Sequence, residues 1–333
     1  MPIMDQGYQP YRGAIRRSNL RFLQFTLAAL RRNRRWWVWV LLILSLLFGS
    51  AKEYFLVFMV YVPEALLNVN PRDIPPFFRA LAEHPRFYTD MMSTQSFWAL
   101  VMGVTVGAGE IAEDLRTGAL AFYLGRPVTR FDYVLGKVAA VSAVVMLVTL
   151  LPVLVLFTAQ ALFEGRWGWV TSHAKAIPSA VAYACVLSLF VSGLVLGMSA
   201  VARRRLWATV SIAGALIALS VTSWVLAPSS TWTSQSEQRA FHRQVQEART
   251  PEQRRAVNER YDEAFDELGS NADTGGWKVL SPMASLSAAA RDLFGNDLPT
   301  NFSHGRHWGL VLGVPLLFFG LLWRRVRAVE VVT

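Results

Sequence analysis

The chain has 333 residues, 53% of them hydrophobic, with twelve tryptophans and a formal net charge of +10. Apolar runs of membrane-crossing length, about 20 residues each, recur along it, which excludes a soluble globular domain and predicts an all-α integral membrane protein. The arginines cluster beside those runs, where the positive-inside rule puts them, so the basic balance reflects topology and lipid, not nucleic acid.

Residues 1–12 are polar, with Pro2, Gly7 and Pro10, and read as a loose tail. From about Ala14 to Arg35 a helix is expected, with Leu20, Leu23, Leu27 and Leu30 on one face. Arg17, Arg21, Gln24 and Arg31 occupy the other. A basic amphipathic helix abutting a span tends to lie in the headgroup layer; a plain cytosolic helix is the alternative. Arg16-Arg17 followed by Leu20 and Phe22 has the outline of a twin-arginine export signal. Arg31, Arg32, Arg34 and Arg35 separate it from the apolar core and no small-residue cleavage site follows, so the N-terminus is expected to stay attached.

The block 36–227 is read as five transmembrane helices. Trp36, Trp37 and Trp39 open the first with an interfacial aromatic cluster. Either this span ends near Gly49, or it continues to about Val62 with Lys52 and Glu53 paired. A place near the outer interface, with the lysine snorkelling, is cheaper for these charges than an intramembrane site and is preferred. Residues 63–93 hold several prolines and read as an exposed loop. A second span covers about Thr94 to Ala112, and a third runs to about Phe163 with Pro152 as a kink. The fourth extends from about Ile177 to Ala202 and closes on Arg203-Arg204-Arg205, a cytosolic marker. The fifth runs from about Leu206 to Ala227. The single cysteine, Cys185, lies inside the fourth and excludes a disulfide framework. Gly103/Gly107, Gly193/Gly197 and Gly309/Gly313 are three pairs at the four-residue spacing that lets helices approach closely in lipid, and together they predict a tightly packed bundle.

The block 228–305 is read as an extracytoplasmic helical loop. Phe241, Val245 and Ala248 form one helical stripe, and Val257, Tyr261, Ala264, Phe265 and Leu268 another, with Thr250-Pro251 as a helix start between them. Leu280 to Phe294 is apolar but too short to cross, an interfacial or re-entrant piece. In the last block, 306–333, a sixth span from about His307 to Trp323 ends in a basic tail. Six spans with both termini cytoplasmic satisfy the arginine distribution.

The search for chemistry comes back empty. No GxxxxGK[ST] loop, HExxH helix or GxSxG elbow occurs, and the five histidines lie outside the apolar runs. Neither a catalytic nor a metal site is expected. The spans are nearly bare of the ionisable groups a secondary transporter uses.

The densest polar interruption runs from Glu110 to Lys137, EIAEDLRTGALAFYLGRPVTRFDYVLGK. Glu113 and Asp114 sit where carboxylates favour a helix start, and Leu115, Ala119 and Phe122 recur at helical spacing. Gly125 and Pro127 form a helix stop, and Thr129 with Asp132 a capping box that opens the next helix. A short helix, a hard turn and a helix fused to a span make an element that can be pushed.

This run resembles the membrane-spanning permease subunits of ABC-2-type ABC transporters. The residues that carry the likeness are Glu113, Gly118, Arg126-Pro127-Val128-Thr129-Arg130, Tyr133 and Gly136-Lys137, supported by Leu280-Ser281-Pro282 before the last span. The resemblance implies that 110–137 is a cytosolic coupling loop docking into a separate ABC ATP-binding subunit, present in two copies. Its residues would be Glu110, Glu113, Asp114, Leu115, Arg116, Gly118, Phe122, Tyr123, Arg126, Pro127, Arg130, Tyr133 and Lys137. Arg116, Arg126 and Arg130 would meet acidic groups of the partner, while Leu115, Phe122 and Tyr123 fill its groove. It further implies an exporter in a bacterial plasma (inner) membrane, built with a second permease copy as a homodimer or heterodimer. The chain itself would bind no cofactor, with ATP and magnesium held by the ATPase partner. The alternative, from a different class, is a non-transporting membrane anchor or signalling protein acting through its extracytoplasmic hairpin.

Overall fold

The computed structural model describes residues 21–32, 36–67, 78, 82, 84, 86–119, 123, 129–164, 167–202, 204–226, 279–296, 298 and 304–327. Its regular elements are all α-helical. In chain order they are α1 (Arg21–Arg32), α2 (Trp36–Phe48), α3 (Ala51–Leu67), α4 (Phe87–Gly107), α5 (Ala112–Arg116) and α6 (Arg130–Glu164). They continue as α7 (Trp167–Ser172), α8 (Ala176–Val201), α9 (Arg205–Leu226), α10 (Pro282–Phe294) and α11 (His304–Arg327). The hairpin expected near 234–268, the N-terminal tail and the C-terminal tail beyond Arg327 lie outside the described residues.

Helix α8 is the post around which the others stand. Its apolar window is 72% buried, against 11% for the window of α9. Tyr183, Leu187, Phe190, Val191, Val195 and Leu196 are all buried along it. Two of the three glycine pairs explain how its neighbours come so close. On α4, a Cβ at Gly103 would run into the Val191 side chain, and one at Gly107 would sit 2.7 Å from Val195 Cγ1. On α8 itself, a Cβ at Gly193 would lie 2.7 Å from Pro315 Cβ, and one at Gly197 2.6 Å from Phe318 Cβ. Bare glycine faces thus receive the valines of α8 on one side and the Pro315–Phe318 ridge of α11 on the other.

The third pair does not behave as expected. A Cβ on Gly309 or Gly313 would meet nothing within 4 Å. The inward face of α11 carries Val311, Pro315, Phe318 and Leu322. A step of two residues from Gly309 to Val311 turns the helix by about 200°, which puts the glycines on the opposite side.

Four helices, α6, α8, α9 and α11, contain stretches long and apolar enough to cross a membrane, and the bent pair α2–α3 makes a fifth candidate. The pair turns by 49° at a short break. Gly49 and Ser50 form that break, and the Gln95 Nε2 of α4 donates to Ser50 Oγ at 2.8 Å. The chain therefore continues past Gly49, and Lys52 pairs with Glu53 at 3.3 Å just beyond the bend. Lys52 reaches outward while Glu53 is buried.

Helix α4 begins seven residues before the Thr94 expected from hydropathy and ends at Gly107, short of Ala112. It falls below the candidate spans in apolar content because its polar side chains face other helices. Tyr183 Oη and Ser96 Oγ are 2.5 Å apart, Tyr88 Oη donates to Gln160 Oε1, and Ser93 Oγ donates to Ser287 Oγ at 3.1 Å. Satisfied in this way, they sit in the core at little cost. The short α10 also belongs to the core. Ser281 accepts from Ala284 N, Pro282 occupies the first turn, and Gly295 closes the helix at φ 70°. Leu286, Ala289 and Ala290 are buried there.

Candidate functional site

The polar end of the bundle is assembled from α1, α5 and the first turns of α6. After α4 stops, the backbone turns into α5 under one hydroxyl of α8. Ser199 Oγ accepts from Ile111 N (3.2 Å) and Ala112 N (3.0 Å) and donates to Ala108 O (2.8 Å). A helix start and the preceding helix end are thereby tied to the central post. Helix α5 lasts only to Arg116, and Gly118 then takes φ +71°, the left-handed region open to glycine. A turn therefore comes at Gly118, and the helix expected to run through Leu115, Ala119 and Phe122 is interrupted there. The anticipated stop at Gly125 and Pro127 lies outside the described residues.

Helix α6 opens with the expected capping box. Asp132 N donates to Thr129 Oγ1 at 3.1 Å, and Thr129 N donates back to Asp132 Oδ2 at 3.2 Å. One turn further, Gly136 brings α1 into contact, since a Cβ there would lie 2.5 Å from Phe25 Cβ and 2.7 Å from Phe22 O. Thr26 Oγ1 donates to Gly136 O at 3.1 Å. Phe25 packs edge-on against Tyr123 and Tyr133, with ring centroids 5.6 and 5.7 Å away. So α1 docks on α6 through Phe25, Thr26 and Ala29, and of its leucine face Leu23 and Leu27 are exposed and Leu30 is half-buried.

Two carboxylates and two cations meet inside this corner. Lys137 Nζ lies 2.7 Å from Glu110 Oε2 and 2.8 Å from Asp114 Oδ2, and donates to Glu110 O at 3.2 Å. Arg32 bridges the same pair from α1, with Nη2 2.5 Å from Glu110 Oε2 and Nη1 3.2 Å from Asp114 Oδ1. Tyr133 Oη donates to Asp114 Oδ2 at 2.8 Å. Glu110, Asp114, Tyr133 and Lys137 are all buried, whereas Arg32 keeps an edge in solvent. Partial burial works to lower the Arg32 pKa, but the hydrogen bond and charge of Glu110, with those of Asp114, hold it above its ordinary value. The cluster is neutral and internally satisfied, the condition under which buried charges persist.

The expected coupling residues therefore divide. Glu110, Asp114, Tyr133 and Lys137 face inward and hold the element together. Glu113, Arg116 and Gly118 are exposed on its tip, with Arg116 and Glu113 3.7 Å apart. Leu115, Tyr123 and Arg130 are half-buried. Phe122, Arg126 and Pro127 lie outside the described residues. Sequence reading overlooked Phe25, Thr26, Arg32 and Ser199. A signal existed for α1: Phe22, Phe25, Thr26 and Ala29 are helically spaced and form a second face, masked by the stronger leucine stripe. A cavity of about 380 Å³ opens beside the cluster between Arg32, Glu113, Thr117, Tyr123 and Arg205.

A helical bundle with stretches of membrane-spanning length, carrying a braced polar element at one end, defines a multi-pass membrane protein. The chain belongs to the ABC-2 family transporter proteins, whose family model matches residues 27–247. No curated protein and no solved structure matches it. It is an ABC-2-type permease, a membrane transport component that is not itself catalytic and works with an ABC ATPase subunit. The matched segment contains α1 through α9 from Leu27 onward, and with them the whole charged cluster.

Proposed function

We propose that this permease is an exporter subunit in which α5, the Gly118 turn and the start of α6 form the coupling element that receives the ATPase. The observation that carries the reading is the buried Arg32–Glu110–Asp114–Lys137 cluster. It fastens the exposed tip of α5 to α6 and α1, so that a push on Glu113, Arg116 and Gly118 is delivered to a membrane helix and is not dissipated in a loop. ATP and magnesium belong to the partner, two ATPase copies serve two permease copies, and coupling requires that docking differ between nucleotide states.

In this reading α4 is the sixth span, enclosed by α8, α6 and α10, and both termini and the Glu110–Lys137 element face the cytoplasm of a bacterial plasma membrane. The rival reading, a membrane anchor acting through its hairpin, rests on residues outside those described. The test is co-purification with the cognate ATPase in mild detergent, with and without the double charge reversal Arg126→Glu and Arg130→Glu. Loss of an ATPase that accompanies the unaltered chain supports the coupling assignment. Retention of full stimulated turnover after reversal removes it.

A further inference from the structure

Glu164 closes α6 at the opposite end from Lys137, and its carboxylate borders a cavity of about 310 Å³. The same cavity is walled by Tyr61 of α3, Phe87 and Tyr88 of α4, and Trp169 of α7. The rings are held in place from several sides. Phe87 and Tyr88 stand edge to face at 5.2 Å and 87°, and Trp169 stacks on His173 at 4.4 Å and 22°. Phe157 braces both Trp169 (5.4 Å) and Tyr88 (6.3 Å) from α6. Tyr88 Oη spends its proton on Gln160 Oε1, which fixes that ring as well. Against these aromatic walls, Glu164 makes no hydrogen bond or ion pair among the described residues, and no described lysine or arginine lines the cavity.

We propose that this cavity is a binding site for an organic ammonium ion, its charge shared between the aromatic faces and the Glu164 carboxylate. The quadrupole of each ring presents negative potential to a cation, and the effect grows as the site sheds water. Apart from Glu164, the polar lining is Gln160 and the imidazoles of His84 and His173, with no described lysine or arginine to fix an anion, and no group of three or more His, Cys, Asp or Glu among the described residues can hold a metal ion. The volume lies at the lower end for small-molecule sites, which suits a head group more than a whole amphiphile. The ammonium ion can come from solution or from the head group of a lipid. Its occupancy is read without an ATPase, so failure here and failure of the coupling reading are distinguishable.

The experiment uses the full chain in nanodiscs of phosphatidylglycerol, titrated with choline and with its neutral isostere 3,3-dimethylbutan-1-ol by calorimetry. Choline is expected to bind, and the isostere, Glu164→Gln and Trp169→Ala each to weaken binding by about tenfold. Trp169→Phe keeps a ring and should retain most of it. Should Trp169→Ala fail to fold, Glu164→Gln carries the test. Nanodiscs of phosphatidylcholine separate the two sources: weaker choline binding there identifies a lipid head group, and unchanged binding a soluble cation. Absence of choline binding, equal affinity for the isostere, or indifference to Glu164→Gln overturns the proposal.

Discussion

The Lys137 ammonium lies 2.8 Å from the Asp114 carboxylate, joining the helix that starts the third long apolar segment to the short helix that precedes it. Both groups are almost entirely withdrawn from solvent. Replacing Lys137 with methionine leaves Glu110 and Asp114 facing Arg32 without their inner counter-charge. The expected loss is about 3–5 kcal/mol, the usual penalty for stranding a buried charge. Adding Glu110→Gln restores neutrality, so the double variant should melt above Lys137→Met. Thermal unfolding of the four members of that cycle checks it, and simple additivity would show that the cluster does not act as a unit.

Arg32 contributes without a pH signature. Its folded pKa is raised above an unfolded value that already lies in the strongly alkaline range, so its stabilisation is fully present across neutral pH and is lost only as pH rises through the still higher folded value. Wild type and Arg32→Gln should therefore differ by a constant offset in melting temperature between about pH 7 and 9, a range well below both values. A gap that closes across this interval would contradict the assigned pairing.

Gly118 separates a backbone effect from a docking effect. Alanine at φ +71° is strained by about 1–2 kcal/mol, but a Cβ there meets nothing within 4 Å. Gly118→Ala should thus lower the melting temperature modestly and keep much of the stimulated ATP turnover. Gly118→Trp should insert into the membrane normally and abolish that stimulation, because a docked partner would clash with the added bulk. Equal turnover in the two variants would mean that the turn is not covered.

Ser199→Ala removes one acceptor and one donor from three backbone groups at the start of α5. A loss of about 1–3 kcal/mol is expected. Hydrogen exchange should accelerate at Ile111 and Ala112 and leave the middle of α8 unchanged. Uniform acceleration over both regions would point to global loosening instead.

Gly136→Leu should drive α1 off α6, because the new side chain would occupy the space of Phe25 Cβ and Phe22 O. Thr26 is buried against Gly136, so labelling of a Thr26→Cys variant by a thiol reagent should rise in the leucine background. Labelling that stays at its original level would count against the close approach.

What was legible in the sequence was local. The Thr129/Asp132 box depends on two residues three positions apart, and it appears where the pattern placed it. The apolar spans were legible because lipid imposes length and composition. The charged cluster was not, because Arg32 meets Glu110 and Asp114 across 78 and 82 positions of chain. An arginine beside a span reads as a topology marker whether or not it has a partner. The interruption at Gly118 was missed for a related reason: Leu115 and Ala119 keep helical spacing across a glycine, and spacing is blind to a residue that leaves the helix. Gly309 and Gly313 show the converse error, since a four-residue glycine repeat says that close approach is permitted and not that a neighbour is there.

Helix α6 is a single rod with Pro152 inside it, and Pro152 has no N–H to give to Val148 O. The proline divides the rod unequally, leaving about 33 Å of helix toward the charged cluster and about 18 Å toward Glu164. A pivot at that point makes α6 a reducing lever. If α6 tilts as one rigid rod, a sideways displacement of Lys137, about 23 Å from the proline, reappears at Glu164, about 18 Å from it, in the reverse sense and at roughly four-fifths of its amplitude. The aromatic cavity would then change shape by small, well-defined amounts while the opposite end travels further, with Pro152 as the fulcrum.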